Sequence, residues 1–396
     1  MIALWLSLCS PAAAVDTDGF AEVRVQAYTG VEGAPVAVIE RFRPTFSADL
    51  SDRISLSSTL ELGLNQGWRA DVRARRLLED ANVLAPSEEP SNPILRIDEL
   101  SDYLYVDRLY VDAYTKYADI RVGRQALNWG SGFVVNPSDP FPQVLLTEPW
   151  KPRQGVNAVR ATIPLGGLSR VQLVGASDDA FVHPRVAGRV TVNALDTDFS
   201  AVGAYREEAN NGIVGLDIKG TLGVGFWVEG VVHIGEGTPY EEVAIGADYS
   251  FNVLNGLFVT AQYYRNGNEP GVTGPSALFA EREDPFAPFF SGRDYLMLSG
   301  NLAIVPEAST SVLAIQNLGD GTAFIVPTVG VYPSAKFDIT LAAQIPLSTW
   351  GDGGEFRPSP QTLQATLPTL DGGTTDVDLN GISPSSTLIL WLRYNY

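Results

Sequence analysis

Residues 54–65 read ISLSSTLELGLN, and every second side chain from Ile54 to Leu64 is apolar except Ser58. The side chains between them are polar or small. Because successive residues of a β-strand point to opposite faces, this period of two predicts a strand with one apolar face. The segment is longer than the ~5 or 6 residues of a typical strand and covers the ~9 to 11 residues with which a tilted strand crosses a bilayer.

The same alternation recurs along the chain. It is found in residues 21–27, 222–234, 243–251, 337–345 and 388–396. Eighteen candidate strands can be placed, and sixteen is the alternative count. The eighteen begin near residues 19, 36, 53, 103, 118, 156, 169, 185, 198, 211, 221, 241, 256, 294, 308, 322, 335 and 386. Asp107 and Arg124 fall on the apolar faces of the fourth and fifth candidate strands, so the hairpin there is expected to project beyond the bilayer or to change register.

The connections between the candidate strands alternate in length. Those after even-numbered strands are tight, whereas every long connection follows an odd-numbered strand. The long connections are residues 67–102, 129–155, 266–292 and 347–385. An up-and-down barrel with both termini in the periplasm predicts this sorting, with short periplasmic turns and long outer loops. Residues 15–396 are therefore predicted to form one all-β domain, a transmembrane antiparallel β-barrel.

The composition of the 396 residues supports an all-β chain. Only 18% of the residues are charged and 45% are hydrophobic, which argues against intrinsic disorder. The formal net charge of −19 argues against a nucleic-acid partner, because phosphate binding needs clustered positive charge. One Cys and two His argue against a disulfide framework and against Cys/His zinc sites.

The first fourteen residues, MIALWLSLCSPAAA, form an apolar segment that ends in three alanines. This pattern fits the small-residue rule for signal-peptidase cleavage before Val15, so residues 1–14 are predicted to be a signal peptide. No run of ~18 uncharged apolar residues follows, so no transmembrane helix is expected.

The C-terminal residues 388–396, LILWLRYNY, alternate apolar side chains and end on an aromatic residue. They resemble the C-terminal signal by which bacterial outer-membrane barrels are recognised for assembly. The resemblance implies that outer-membrane lipid surrounds the barrel and that Tyr396 contacts the barrel-assembly machinery.

A second stretch contains G-R-Q at residues 123–125, N-W-G at 128–130 and N-P-x-D-x-F at 136–141. This set resembles bacterial outer-membrane porin-like families. Its G-R-Q part is also similar to alginate-export-type barrels, which have eighteen strands. The resemblance implies an outer-membrane channel, and it is compatible with a homo-oligomer because many porins are trimers.

Eight arginines from the first part of the chain lie on the face opposite the apolar stripes. They are Arg24, Arg41, Arg43, Arg53, Arg121, Arg160, Arg170 and Arg189. As lumen-lining residues they would form a basic wall that guides anionic or hydroxyl-rich solutes through bidentate contacts. Alternatively, they pair with carboxylates and brace the barrel. The candidate partners are Glu22, Asp49, Glu61, Asp112 and Asp119.

The connection from Trp129 to Gly155 is rich in Gly and Pro and unusually apolar for a solvated loop. We expect it to fold into the lumen and to narrow an otherwise wide pore. The candidate constriction residues are Trp129, Asn136, Asp139 and Phe141. The alternative is that the loop packs over the barrel mouth as a structural cap.

One candidate metal site lies in the last long connection. Asp376, Asp378 and Asn380 match the opening of a calcium loop, but Thr387 stands where the bidentate Glu belongs, so a solvated acidic turn is the alternative. No other cofactor is expected. His183 and His233 lack the spacing of a metal pair or a catalytic triad, so no catalytic residue and no enzyme activity are predicted.

Together these patterns predict a passive, porin-like channel of the bacterial outer membrane for small polar or anionic solutes. Two alternatives stay open: an export conduit for an acidic polysaccharide, and a non-conducting structural or adhesion barrel. Because charge is screened over ~8 Å at physiological salt, the lumen arginines rather than the acidic surface are expected to set selectivity. We expect a mild anion preference at high salt, which drifts towards cations at low salt as the acidic loops become less screened.

Overall fold

The computed structural model describes most of the chain. The described residues are 15–30, 35–67, 81–82, 96–99, 102–141, 152–178, 181–207, 210–235, 238–268, 290, 292–350, 354–357, 364–378 and 385–396. Among them there is no helix of the length and apolar character needed to cross a membrane.

These residues form β-strands separated by turns and irregular segments. The strands are β1 (Val15–Thr29), β2 (Val36–Ser51), β3 (Ile54–Gly67), β4 (Arg96–Glu99), β5 (Asp102–Tyr114), β6 (Asp119–Gln125), β7 (Val156–Gly166), β8 (Ser169–Ser177), β9 (Pro184–Ala194), β10 (Thr197–Arg206), β11 (Asn211–Thr221), β12 (Gly225–Ile234), β13 (Tyr240–Phe251), β14 (Leu257–Asn266), β15 (Asp294–Val305), β16 (Ala308–Asn317), β17 (Thr322–Ser334), β18 (Phe337–Ser348), β19 (Gln364–Pro368), β20 (Thr374–Asp378) and β21 (Ser386–Asn395).

Eighteen long strands close into one antiparallel barrel. Consecutive strands pair side by side, β3 pairs directly with β5, and β21 pairs with both β18 and β1, which closes the ring. The short strand β4 pairs with the start of β5, and β19 and β20 form a separate two-stranded sheet. The predicted all-β barrel is confirmed, with eighteen strands rather than sixteen.

The two ends of the barrel differ in their connections. Only two residues separate β2 from β3, β7 from β8, β9 from β10 and β15 from β16. Long connections lie at the other end, such as residues 126–155 between β6 and β7. Because neighbouring strands are antiparallel, the short turns share one end of the barrel with the start of β1 and the end of β21. The predicted sorting of connections by length is confirmed.

The barrel is apolar outside and polar inside. Val159, Val214 and Leu216 are 50% to 59% exposed on the outer face, whereas Asp217 and Glu229 are at most 1% exposed inside. The alternation of side chains along each strand places these residues on opposite faces. This polarity is the reverse of that of a soluble protein, and it suits a barrel surrounded by hydrocarbon.

Strand β5 changes face at Asp107. In its ladder with β3, Arg108 pairs with Thr59 and Val106 pairs with Leu60, so Asp107 is an extra residue. Such a bulge changes which side chains point inward, because the strand period is two. Asp107 is fully buried inside the barrel. Of the two outcomes expected for this hairpin, the change of register is the one found.

Candidate functional site

A row of buried ion pairs runs along the inner face of β21, β1, β2, β3 and β5. Glu22 lies opposite Arg41 in the β1–β2 ladder and opposite Arg393 in the β1–β21 ladder. Its Oε1 is 3.2 Å from Arg41 Nη2 and 3.6 Å from Arg24 Nε. Its Oε2 accepts hydrogen bonds from Arg393 Nη2 at 2.8 Å and from Trp391 Nε1 at 2.9 Å. One carboxylate thus joins three strands.

The row continues through Glu61 and Asp107. Glu61 Oε1 lies 3.7 Å from Arg41 Nε, and the other oxygen of this carboxylate bonds Arg43. Arg43 also bonds Asp107, whose Oδ1 is 2.7 Å from Arg108 Nη1. Positive and negative side chains therefore alternate across five strands. The ion-pair row consists of Glu22, Arg24, Arg41, Arg43, Glu61, Asp107, Arg108 and Arg393.

The burial of these arginines distinguishes between the two interpretations, a basic wall that guides solutes and ion pairs that brace the barrel. The side chains of Glu22, Glu61 and Asp107 are at most 1% exposed, and those of Arg24 and Arg41 are each 1% exposed. A charge taken out of water is costly unless a partner compensates it. Arginines packed in this way hold neighbouring strands together and do not present an open basic surface to a solute. For this part of the barrel, the geometry favours the bracing interpretation.

Two further arginines are paired. The Arg121 guanidinium donates two hydrogen bonds to the Asp112 carboxylate, from Nε to Oδ1 at 2.6 Å and from Nη2 to Oδ2 at 2.8 Å. Arg189 Nη2 lies 2.5 Å from Asp217 Oδ2. Of the carboxylates expected as partners, those found in ion pairs are Glu22, Glu61 and Asp112, while Asp49 and Asp119 are exposed.

The remaining three arginines are more accessible. Arg160 lies opposite Arg121 in the β6–β7 ladder and is half-buried, and Arg170 is half-buried near the β7–β8 turn. Arg53 is exposed in the two-residue turn between β2 and β3. Its assignment to the lumen wall is wrong, because β3 begins at Ile54 and the turn places Arg53 at the end of the barrel.

The connection between β6 and β7 folds back into the barrel, and its residues 126–141 are called the inner loop. At its base the rings of Trp129 and Phe141 pack edge to face, with centroids 5.2 Å apart. Both belong to a buried apolar cluster with wall residues of β7, β8 and β10. The cluster consists of Leu127, Trp129, Phe141, Val156, Ala158, Val174, Ala176 and Val202.

A tight turn shapes the inner loop at residues 136–139. The backbone N–H of Asp139 donates to Asn136 O at 3.1 Å, and proline occupies the second position of the turn, where its fixed φ is favoured. The Asp139 carboxylate accepts a hydrogen bond from Phe141 N at 3.1 Å and forms an ion pair with Arg153. Burial raises the pKa of Asp139 to about 6, although Arg153 opposes the shift.

One carboxylate binds the tip of the inner loop, residues 131–138, to β12. Glu229 accepts hydrogen bonds from three backbone N–H groups of the tip: Ser131 at 2.5 Å, Gly132, and Ser138 at 3.1 Å. The Ser138 hydroxyl donates a fourth bond at 2.7 Å. The Glu229 side chain is fully buried by these contacts.

A second wall residue binds the tip on β14. Gln262 Oε1 accepts hydrogen bonds from Phe133 N at 2.6 Å and Trp227 Nε1 at 3.1 Å, and Gln262 Nε2 donates to Val135 O at 3.2 Å. Val135 packs into a buried cluster with side chains of β14, β15 and β17. In the ring of eighteen strands, β12 lies six places from β6 and β14 lies eight places away. The tip therefore reaches across the lumen to the far wall.

All four sequence-predicted loop residues are buried in this arrangement. Trp129, Asp139 and Phe141 are 2% exposed, and Asn136 is 9% exposed. They build the framework of the inner loop, and the exposed side chain of the tip is Phe133, at 42%.

Sequence reasoning missed the wall residues that hold the tip. Glu229 and Gln262 lie 91 and 129 residues away from their loop partners Ser138 and Phe133. One signal was present, because Glu229 interrupts the apolar stretch of residues 222–234 at an inward-facing position.

The candidate calcium site is only partly described. Asp376 is exposed on β20, whereas the Asp378 side chain and Asn380 lie outside the described residues, as does the predicted signal peptide, residues 1–14. Within the described part of the chain, no group of three or more His, Cys, Asp or Glu side chains is placed to hold a metal ion. Calcium binding stays a prediction.

Comparison with known proteins gives a match in fold. No protein-family model matches the chain, and neither does any curated protein. Pseudomonas aeruginosa OprD aligns with a TM-score of 0.55 and 12% identity over 96% of this chain and 95% of that one. OccK5 (OpdH) of the same organism aligns with a TM-score of 0.55 and 8% identity over 97% and 98%. OpdK, solved with vanillate, aligns with a TM-score of 0.54 and 10% identity over 96% and 98%. The chain thus shares the eighteen-stranded barrel fold of these outer-membrane porins.

Proposed function

We propose that this protein is a passive channel of the bacterial outer membrane for small polar or anionic solutes. The observation that carries the proposal is a closed barrel, apolar outside, with a loop bound across its polar interior. A closed sheet satisfies its backbone hydrogen bonds without water, as hydrocarbon requires. The end with the short turns and both termini is then the periplasmic end.

The inner loop is best explained as the constriction of this channel. Glu229 is the fifth of ten residues in β12, and Gln262 is the sixth of ten in β14. Contacts at the middle of wall strands support a tip at mid-height in the lumen, whereas a cap over the mouth would bind at strand ends. Phe133, as the exposed side chain of the tip, is the residue expected to face a passing solute.

The charges of the wall favour small anions. The arginines of the ion-pair row are buried with their partners, whereas Arg160 and Arg170 are half-buried on strands β7 and β8. An excess charge on a low-dielectric wall acts more strongly on an ion than it would in water. A loop across the lumen does not favour the alternative of a polysaccharide conduit, which needs a wide path.

Reconstitution tests the proposal. In planar bilayers the purified protein should give stepwise increases in conductance. In liposome-swelling assays it should admit small sugars and organic anions and exclude larger oligosaccharides. A folded barrel that gives neither conductance nor swelling would contradict the channel and favour the structural or adhesion barrel, and passage of long acidic polysaccharides would favour the export conduit.

A further inference from the structure

Two carboxylates face each other on the wall beside the inner loop. Asp217 of β11 pairs directly with Glu229 of β12 in the antiparallel ladder. The two residues are 1% and 0% exposed. Like charges at directly opposed positions destabilise a sheet, and burial increases the cost. The wall therefore needs a compensating group for each carboxylate.

The two carboxylates are compensated in different ways. Asp217 forms an ion pair with Arg189 Nη2 at 2.5 Å, and Arg189 also donates to Ser200 Oγ at 3.1 Å. No Arg, Lys or His among the described residues forms an ion pair with Glu229. Its charge is instead met by three backbone N–H groups and one hydroxyl of the tip. Hydrogen bonds to an ionised acceptor are roughly twice as strong as those between neutral groups.

The inner loop is shaped around this carboxylate. Convergent backbone N–H groups form a nest, an arrangement that binds anions. Gly130 enters the nest with φ +82°. A Cβ added at Gly130 would lie 2.9 Å from Glu229 Oε2 and 2.7 Å from Asn136 Cβ. Both the positive φ and the close approach thus require glycine at this position.

We propose that Glu229 is the latch that positions the inner loop, and that the nest of the tip is a receptor for this one carboxylate. The inference rests on the proposed role of the loop as the constriction. Withdrawal of the tip would remove the four hydrogen-bond donors of Glu229 and leave its carboxylate directly opposite that of Asp217. The docked position of the tip is therefore coupled to the carboxylate of Glu229 on the wall.

A matched pair of variants separates the latch from a simple change of pore charge. Glu229→Gln keeps the side-chain size but turns an amide N–H₂ group towards the N–H donors of the nest. Asp217→Asn removes the same charge from the directly opposed position and keeps an oxygen that can accept the hydrogen bond from Arg189. We expect noisy, multi-level single-channel currents with a raised mean conductance for Glu229→Gln, and a quiet single level for Asp217→Asn.

A thiol-protection measurement reports the tip independently of conduction. Val135 is 1% exposed in the docked tip, and the chain has one cysteine, Cys9, within the predicted signal peptide. A Val135→Cys variant should therefore react slowly with a charged methanethiosulfonate reagent. Adding Glu229→Gln should accelerate the reaction about tenfold, because the opened state becomes more populated, and adding Asp217→Asn should not.

Equal reaction rates in the Glu229→Gln and Asp217→Asn backgrounds, with both barrels shown to be folded by their heat-dependent migration, would overturn the latch. Where Glu229→Gln does not fold, Ser138→Ala removes one donor from the loop and leaves the wall intact. It should still accelerate the reaction, and an unchanged rate would overturn the latch as well. A protein that protects Val135→Cys as expected but conducts no current would refute the proposed channel and leave the latch standing.

Discussion

Arg43 is held between two buried carboxylates, Glu61 and Asp107. Arg43→Gln leaves both without this partner, so the free energy of unfolding should fall by about 3–5 kcal/mol. Urea unfolding in lipid vesicles, followed by tryptophan fluorescence, measures the loss. Arg160→Gln is the control, because Arg160 is only half-buried, and it should cost less than about 1 kcal/mol. Equal losses in the two variants would contradict the bracing interpretation.

Arg160 is the position where one residue should change ion selectivity. The charge of its ladder neighbour Arg121 is taken up by Asp112, whereas Arg160 stays partly accessible. The unaltered channel should prefer anions mildly, and Arg160→Gln should shift its reversal potential under a KCl gradient towards cations. Arg41→Gln should leave the potential of the folded channel unchanged, because Arg41 is 1% exposed. A shift of equal size with Arg41→Gln would restore the basic-wall interpretation.

Asp139 makes the stability of the inner loop depend on pH. Burial raises its pKa to about 6, above the ~3.9 of an unfolded Asp, so the native state holds the proton more tightly. This group therefore contributes stability that is fully present below about pH 4 and is lost as the pH rises through about 6. Asp139→Asn should abolish this dependence, which is on the order of 3 kcal/mol between pH 4 and pH 7. Urea unfolding at a series of pH values tests it, and parallel curves for the two proteins would contradict the prediction.

The last residue of the chain fastens the strand that closes the barrel. Tyr396 N donates to Gly19 O at 3.1 Å, and the Tyr396 ring stacks on Phe42 with centroids 5.9 Å apart. Deleting Tyr396 should therefore impair assembly, whereas Tyr396→Phe keeps the ring and the backbone bond and should not. The fraction of heat-modifiable protein in outer-membrane preparations measures assembly. Normal assembly of the deletion variant would argue against a role of the terminal aromatic in closure and in recognition by the assembly machinery.

The barrel strands could be predicted because lipid outside and a polar lumen inside impose alternation on every strand. β2 and β7 begin at Val36 and Val156, where the pattern placed them. β4 and the hairpin of β19 and β20 were missed. These strands have four or five residues, lie within long connections and are not part of the eighteen-strand ring, so nothing imposes a long alternation on them.

The site could be predicted only in part. The apolar composition of the inner loop indicated that it packs against the barrel, but its partners Glu229 and Gln262 become neighbours only when the barrel closes. The pairing of the arginines could not be predicted either, because the register between strands determines which side chains lie opposite each other. The bulge at Asp107 places this carboxylate beside Arg43. An acidic residue on the apolar face indicated an irregularity there, but it did not distinguish a change of register from a projecting hairpin.

In the complete barrel, the wall that carries the ion-pair row and the wall that binds the inner loop differ in function. The ion-pair row ties β21, β1, β2, β3 and β5 together, and β12 and β14 receive the tip of the inner loop. An eighteen-stranded barrel without such a loop would leave a wide aqueous passage. In the proposed channel the tip would therefore set the width of the passage, and the paired arginines would stabilise the wall.

Single-channel conductance tests this assignment most directly. Replacing residues 131–138 with a short glycine linker keeps Trp129 and Phe141 packed at the base and removes the contacts with Glu229 and Gln262. If the tip is the constriction, conductance should rise about twofold or more. Shortening the turn of residues 369–373 between β19 and β20 is the control and should leave conductance unchanged. A folded tip replacement that conducts no better than the unaltered protein would contradict the claim that the inner loop narrows the pore.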